Sequence, residues 1–159
     1  MYNTNEQLTM TSQHIFILEK ARKYCAYQER SIFDVKMKLI SWKIDEAIIS
    51  DIILQLKDEN FINEERYTLA FASGKLRTNS WGRNKIAYAL QKKQIPELTI
   101  QIALNSLDEE EYINTLKKVL ASKIIKDDNE FRRNNKLVKY AQQKGFQPEL
   151  SWKVIKGEL

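Results

Sequence analysis

The chain is short of the residues that cross-link, ligate or punctuate: of 159 residues, 1 is cysteine, 1 histidine, 2 proline and 4 glycine. With Cys25 alone, an internal disulfide and a thiolate cluster for zinc or iron–sulfur are both excluded, and a reducing, cytoplasmic compartment is expected. His14 alone cannot build a histidine-rich metal site, and no positioned base accompanies Cys25, which reads as a buried structural thiol despite Arg22 and Lys23 nearby. Sheets of short strands need turn residues every 8–12 positions or so, about the opposite of what this sequence offers. No run approaches the ~20 apolar residues of a membrane span, and residues 1–10 lack the basic start and apolar stretch of a secretion signal. No metal, cofactor or membrane is implied.

What is present is helical periodicity. With 43% hydrophobic residues, the chain is long enough to bury a core of its own. Apolar residues recur at helical spacing at Ile15, Leu18 and Ala21; at Val35, Leu39 and Trp42; at Ile48, Ile49, Ile52, Ile53 and Leu56; at Tyr67, Ala70 and Phe71; at Ile86, Tyr88, Ala89 and Leu90; and at Leu116, Val119, Leu120 and Ile124. Ser31 with Asp34, Asn63 before two glutamates, and Ser80 read as caps; Pro96 and Pro148 suit first turns. The pattern predicts helices near 9–28, 31–43, 46–58, 63–77, 81–93, 97–106, 109–125, 128–144 and 149–157.

A shift of 51 residues aligns these helices in threes. Leu18, Leu69 and Leu120 coincide, as do Val35, Ile86 and Leu137; Ile44, Ile95 and Phe146; and Ile53, Leu104 and Ile155. The loops align too: Lys43-Ile44-Asp45, Gln94-Ile95-Pro96 and Gly145-Phe146-Gln147. The expectation is an all-α fold of three tandem three-helix repeats, 9–60, 61–108 and 109–159, stacked into an elongated curved array that binds along a surface.

Enzyme chemistry has no visible seat. Gly74-Lys75 lacks the upstream glycine, the following Ser or Thr and the preceding strand of a phosphate loop. The carboxylate pairs Asp58-Glu59, Glu64-Glu65 and Asp127-Asp128, and the triple Glu109-Glu110-Glu111, fall at helix ends or starts, and many complement a helix dipole.

Charge placement says more. The net +5 lies toward the C-terminus, yet from Arg66 through Pro96 runs a stretch of 31 residues with no acid, carrying Arg66, Lys75, Arg77, Arg83, Lys85, Lys92 and Lys93. A positive patch is expected there, fit for phosphates or an acidic protein surface. Arg132, Arg133 and Lys136 form a second, distal set, with Arg132, Lys136 and Lys139 on one helical face. Tyr88 reads as a packed anchor, while Trp81, in its loop, is open to packing or stacking. Gly82 reads as a turn residue whose φ only glycine adopts cheaply.

These residues resemble the RecX family of bacterial recombinase regulators. The resemblance runs through Arg30-Ser31 to Lys38-Leu39, Glu59-Asn60-Phe61-Ile62-Asn63-Glu64-Glu65-Arg66-Tyr67, Trp81-Gly82-Arg83-Asn84-Lys85-Ile86 and Ala89-Leu90-Gln91-Lys92-Lys93-Gln94-Ile95-Pro96. The chain departs from the family pattern at Asn63 and Glu64, commonly aspartates, at Tyr67, commonly phenylalanine, and at Ile44 and Gln94, where glycine is common. The resemblance implies a non-enzymatic modulator that docks in the groove of a RecA filament on single-stranded DNA and restrains ATP hydrolysis, strand exchange and coprotease activity. The basic, repeat-built body gives no reason to expect a stable dimer, so a monomer is expected, with weak contact to single-stranded or duplex DNA. The ten cations named above are the expected contacts. The alternative is a helix-turn-helix DNA-binding module or transcription regulator, which three-helix units with a basic helix also suit.

Overall fold

The structure, a computed structural model, describes residues 4–159, with side chains from Ser12 onward. The polar stretch 1–10, on which the absence of a secretion signal rests, lies outside the residues whose side chains are described. Among the described residues there are nine α-helices and no strand: α1 Thr4–Tyr27, α2 Ile32–Ser41, α3 Glu46–Asp58, α4 Glu64–Asn79, α5 Arg83–Lys92, α6 Glu97–Asn105, α7 Glu109–Ser122, α8 Glu130–Gln143 and α9 Pro148–Ile155. The all-α expectation holds. No described helix is long and apolar enough to cross a membrane.

The chain divides into two compact units, Met1–Tyr67 and Thr68–Leu159, the boundary falling inside α4. In the first, α1, α2 and α3 pack on one another around Ile17, Leu18, Ala21, Cys25, Val35, Leu39, Ile49, Ile52, Leu56 and Ile62. Fully burying each aliphatic side chain of this kind contributes about 1.5–3 kcal/mol, which is what holds the three helices together. In the second unit α5 packs on α6, and α7, α8 and α9 pack on one another. Tyr112 and Phe146 are its largest fully buried side chains, with ring centroids 5.2 Å apart and planes inclined at 49°.

Helix ends follow local sequence. Ser31 forms a complete capping box: its Oγ accepts from the Asp34 N–H at 3.0 Å, and its own N–H donates to the Asp34 carboxylate at 3.2 Å. Asn63, Asp108 and Asn129 each accept a backbone N–H three residues on. One cap recurs at the 51-residue interval. The N–H groups of Ile44, Ile95 and Phe146 donate to the carbonyls of Leu39, Leu90 and Ala141, and those of Lys43, Gln94 and Gly145 to Ile40, Gln91 and Gln142. That is the Schellman pattern, and it places Lys43, Gln94 and Gly145 in the left-handed region at φ 60°, 59° and 95°. Gln94, where the resemblance leads one to expect glycine, takes the left-handed position of its turn; in the first turn that position is Lys43, one before Ile44.

Several expectations need correction. Ser80 does not cap α5; it ends α4 at φ 53°, and Gly82 is the N-cap. Gly82 has φ −80°, open to any residue, so backbone freedom is not its role. Tyr88 is exposed, not packed, as are Ile15 and Leu69, the second of which breaks the Leu18–Leu69–Leu120 column. Helix α7 stops at Ser122 instead of 125, because Lys123 turns to extended backbone and Ile124 points to solvent, 84% exposed.

Cys25 is buried and unpaired with another thiol, and burial pushes its pKa from 9.0 up to about 11. Its folded-state pKa being raised, the thiol's contribution to stability is complete below pH 9 and is lost as the pH rises toward 11. At pH 8 Cys25 should therefore react with a thiol-specific chromogenic disulfide only through opening of the first unit, yet reach one equivalent rapidly in denaturant. Immediate stoichiometric reaction of the native protein would refute a closed core.

Candidate partner-binding surface

The acid-free stretch becomes a structured element because α4 ends in a left-handed cap. The Ser80 N–H bonds the Leu76 carbonyl at 3.2 Å and the Trp81 N–H bonds the Lys75 carbonyl at 3.1 Å, folding the chain back over the last turn of α4. Trp81 is thereby held half-buried beside two cations: Lys75 Nζ lies 4.9 Å from its ring centroid and Lys85 Nζ 4.8 Å. Such contacts are worth about 0.5–1 kcal/mol at exposed sites and about 2 when desolvated. Lys75 Nζ also lies 5.4 Å from the Phe71 ring. On α5, Lys85, Tyr88 and Lys92 fall at i, i+3 and i+7 on one face, with Lys92 Nζ 4.5 Å from the Tyr88 ring. Among the described residues Lys75, Lys85 and Lys92 have no carboxylate partner.

The other expected contacts are differently employed. Arg66, in the first unit, donates Nε to Glu29 at 2.5 Å and its Nη groups to Asn60. Arg77 forms a two-point pair with Glu111, at 2.7 and 3.1 Å, which raises the arginine pKa and lowers that of the carboxylate. Arg77 remains well exposed, and pairs of that kind are worth about 0–1 kcal/mol, so a stronger anion can take the guanidinium. Arg83 is largely enclosed, its side chain only 18% exposed: the guanidinium lies 4.0 Å over the Tyr112 ring and donates to Glu109 at 2.6 Å. Lys93 is half-buried at the end of α5.

The distal set converges on one acid. Arg132, at 3.1 Å, and Lys136, at 2.9 Å, pair with Asp127, while the Arg133 guanidinium donates to the Asp127 carbonyl at 2.9 Å. The Asp127 side chain is only 8% exposed, and bonds from Arg132, Lys136 and the Asn129 N–H hold its pKa at about 2. So the stripe on α8 fastens the 123–129 connection as well as bearing charge.

One group escaped sequence reasoning. In the first unit Lys20 and Lys38 lie 4.2 and 5.9 Å from the Trp42 ring, while Arg30 and Lys38 lie 4.0 and 5.4 Å from Tyr24. The i, i+4 spacing of Lys38 and Trp42 was the available signal; acids interspersed along residues 1–60 masked it. A cleft of about 490 Å³ in the same unit brings His14 near Asp45 and Asp51. No group of His, Cys, Asp and Glu among the described residues could hold a metal ion.

Because its folded-state pKa is depressed from 3.8 to about 2, Asp127 stabilises the fold above pH 3.8, and that contribution fades as the pH falls through 2. Asp127→Asn should raise amide exchange across 123–129 at neutral pH, and the parent protein should show the same loosening only between pH 4 and 2. Equal exchange in parent and variant would dissolve the anchoring role.

Comparison with known proteins agrees with this architecture. Residues 63–104 match the family domain described as RecX, second three-helix domain. The regulatory protein RecX of Clostridium beijerinckii is 34% identical over 144 residues, covering 88% of this chain and 63% of the relative; that of Clostridium perfringens is 30% identical over 117 residues, covering 71% and 54%. The chain thus spans less than two thirds of the length of these relatives. Among solved structures, RecX from Lactobacillus salivarius superposes with a TM-score of 0.79 at 24% identity, covering 92% of this chain and 97% of that one. Another, a regulatory protein RecX, gives 0.81 at 20% identity, covering 98% and 79%. Along most of its length the chain is similar in sequence to regulatory proteins RecX, residues 63–104 match that family's second three-helix domain, and the fold is that of the solved RecX structures.

Proposed function

We propose that this protein regulates the RecA recombinase without catalysing a reaction, by docking on the RecA filament assembled on single-stranded DNA in the cytoplasm and restraining its ATP hydrolysis, strand exchange and coprotease activity. The observation that carries this reading is the gathering of Lys75, Lys85 and Lys92 on aromatic side chains, free of carboxylates, in the part of the chain that matches the family domain. An ammonium held against a ring has lost part of its rotamer freedom before a partner arrives, so less ordering remains to be done on binding. Lysines without a protein counter-charge also add their whole charge to the field that steers an acidic partner or a phosphate backbone. Arg77 joins them by exchanging Glu111 for the partner. Lys93 lies at the end of the same helix, while Arg66, Arg132, Arg133 and Lys136 contribute field at the periphery. Arg83 acts mainly within the fold.

The regulator works by occupancy. Many modest contacts along a filament combine, because each bound contact raises the effective concentration of the next.

Two measurements test the reading. Added to RecA on single-stranded DNA, the protein should depress DNA-dependent ATP hydrolysis at or below equimolar amounts; full hydrolysis at saturation would dismiss it. Lys75→Glu with Lys85→Glu should weaken filament binding by about tenfold or more and flatten its salt dependence by about two phosphate contacts, with helicity unchanged. Selective binding of a preferred duplex sequence in the presence of competitor DNA would favour a transcription regulator instead.

A further inference from the structure

The first turn of α5 carries Lys85 and follows Trp81, yet it has no side-chain cap. Three consecutive N–H groups at that end find partners far along the chain. Gly82 donates to the Lys144 carbonyl at 2.8 Å, Arg83 to the Tyr112 hydroxyl at 3.0 Å, and Asn84 to the Gly145 carbonyl at 3.0 Å. The buried Tyr112 hydroxyl in turn donates to Gln147 Oε1 at 2.7 Å. The start of α5 is thus capped by the turn after α8 and by one tyrosine of α7.

Both glycines are needed for proximity. A Cβ on Gly82 would fall inside the Gly145 carbonyl and the Phe146 nitrogen; a Cβ on Gly145 would meet the Lys85 Cβ and stand 2.6 Å from the Lys85 nitrogen and 2.9 Å from the Gly82 oxygen. The left-handed φ does not by itself demand glycine at 145, since the equivalent turns carry Lys43 and Gln94 at φ 60° and 59°. What distinguishes the third turn is the helix start pressed against it. Arg83 closes the contact from the other side through the Tyr112 ring, Glu109 and the Leu104 carbonyl.

We propose that Gly145 and Tyr112 are positioning residues for the central lysine cluster: the backbone clasp between the α8–α9 turn and the start of α5 sets where Lys85 and Trp81 stand, so α7–α9 govern the affinity of a surface they do not supply. This rests on the functional reading above for its binding readout. A first turn that is docked only part of the time weakens apparent affinity by that fraction. Binding therefore tracks integrity of the clasp, not global stability.

The test uses the full chain, binding to RecA filaments on single-stranded DNA, and protein labelled with fluorotryptophan, in which the Trp81 resonance is identified by its loss in Trp81→Phe. Tyr112→Phe removes the hydroxyl alone and should weaken binding about threefold to tenfold, near the value of one lost hydrogen bond, and shift the Trp81 fluorine resonance. Gly145→Ala should do both more strongly; should it fail to fold, Tyr112→Phe carries the test. Gly157→Ala is the control: Gly157 also has a left-handed φ, of 74°, but nothing within 4 Å of where a Cβ would stand. It should leave both readouts unchanged despite comparable backbone strain. If Tyr112→Phe and Gly145→Ala bind like the parent while Lys75→Glu with Lys85→Glu loses binding, the clasp proposal fails and the functional reading stands. If the lysine variant also binds normally, the functional reading fails, and the Trp81 resonance decides the clasp: a shift in Tyr112→Phe sustains it, and an unmoved resonance overturns it.

Discussion

Short helices leave much of their backbone without intrahelical partners, since the first four N–H groups and last four carbonyls of each helix must bond elsewhere. With α2, α3, α5, α6 and α9 no longer than 13 residues, satisfying those ends is the constraint on which this fold depends. Three solutions are used. Polar side chains close the N-termini of α2, α4, α7 and α8; Schellman turns close the C-termini of α2, α3, α5, α8 and α9; and the start of α5 is closed by groups from elsewhere in its unit. The third solution ties residues some sixty positions apart, and it can exist only because two glycines meet.

The placement of charge follows from the same constraint. Trp81 sits where it does because α4 ends in a left-handed serine and α5 begins on the clasp; the two lysines reach the indole from those two helices. Arg83 occupies the first helical position and is drawn inward by Tyr112 and Glu109. The acid-free stretch is therefore a division of labour. Arginines fasten elements to one another through planar, multi-point bonds, while Lys75, Lys85 and Lys92 rest on aromatic rings. Asp127 extends this logic to α8, where one carboxylate is ringed by Arg132 and Lys136.

Most of the helices could be read from the sequence because their periodicity and caps were local. The aligned loop triplets Lys43-Ile44-Asp45, Gln94-Ile95-Pro96 and Gly145-Phe146-Gln147 proved to be one turn made three times, hydrogen bond for hydrogen bond. Gly82 was misread because its reason lies in Gly145, 63 residues away, and no local pattern announces a backbone contact of that range. Tyr88 was assigned to packing because helical spacing marks a face without saying whether another helix covers it. A run of sequence without acids says nothing of acids supplied from other helices and connections. Glu29, Glu109, Glu111 and Asp127 all come from outside the stretch or stripe they neutralise.

The pair of ammonium groups beside one indole has a further meaning. Each stands within 5 Å of the ring centroid with no protein carboxylate paired to it, so dissolved counter-ions balance its charge. Whatever polyanion settles at Trp81 displaces those ions into the solvent, and the entropy of their release is part of what draws it there.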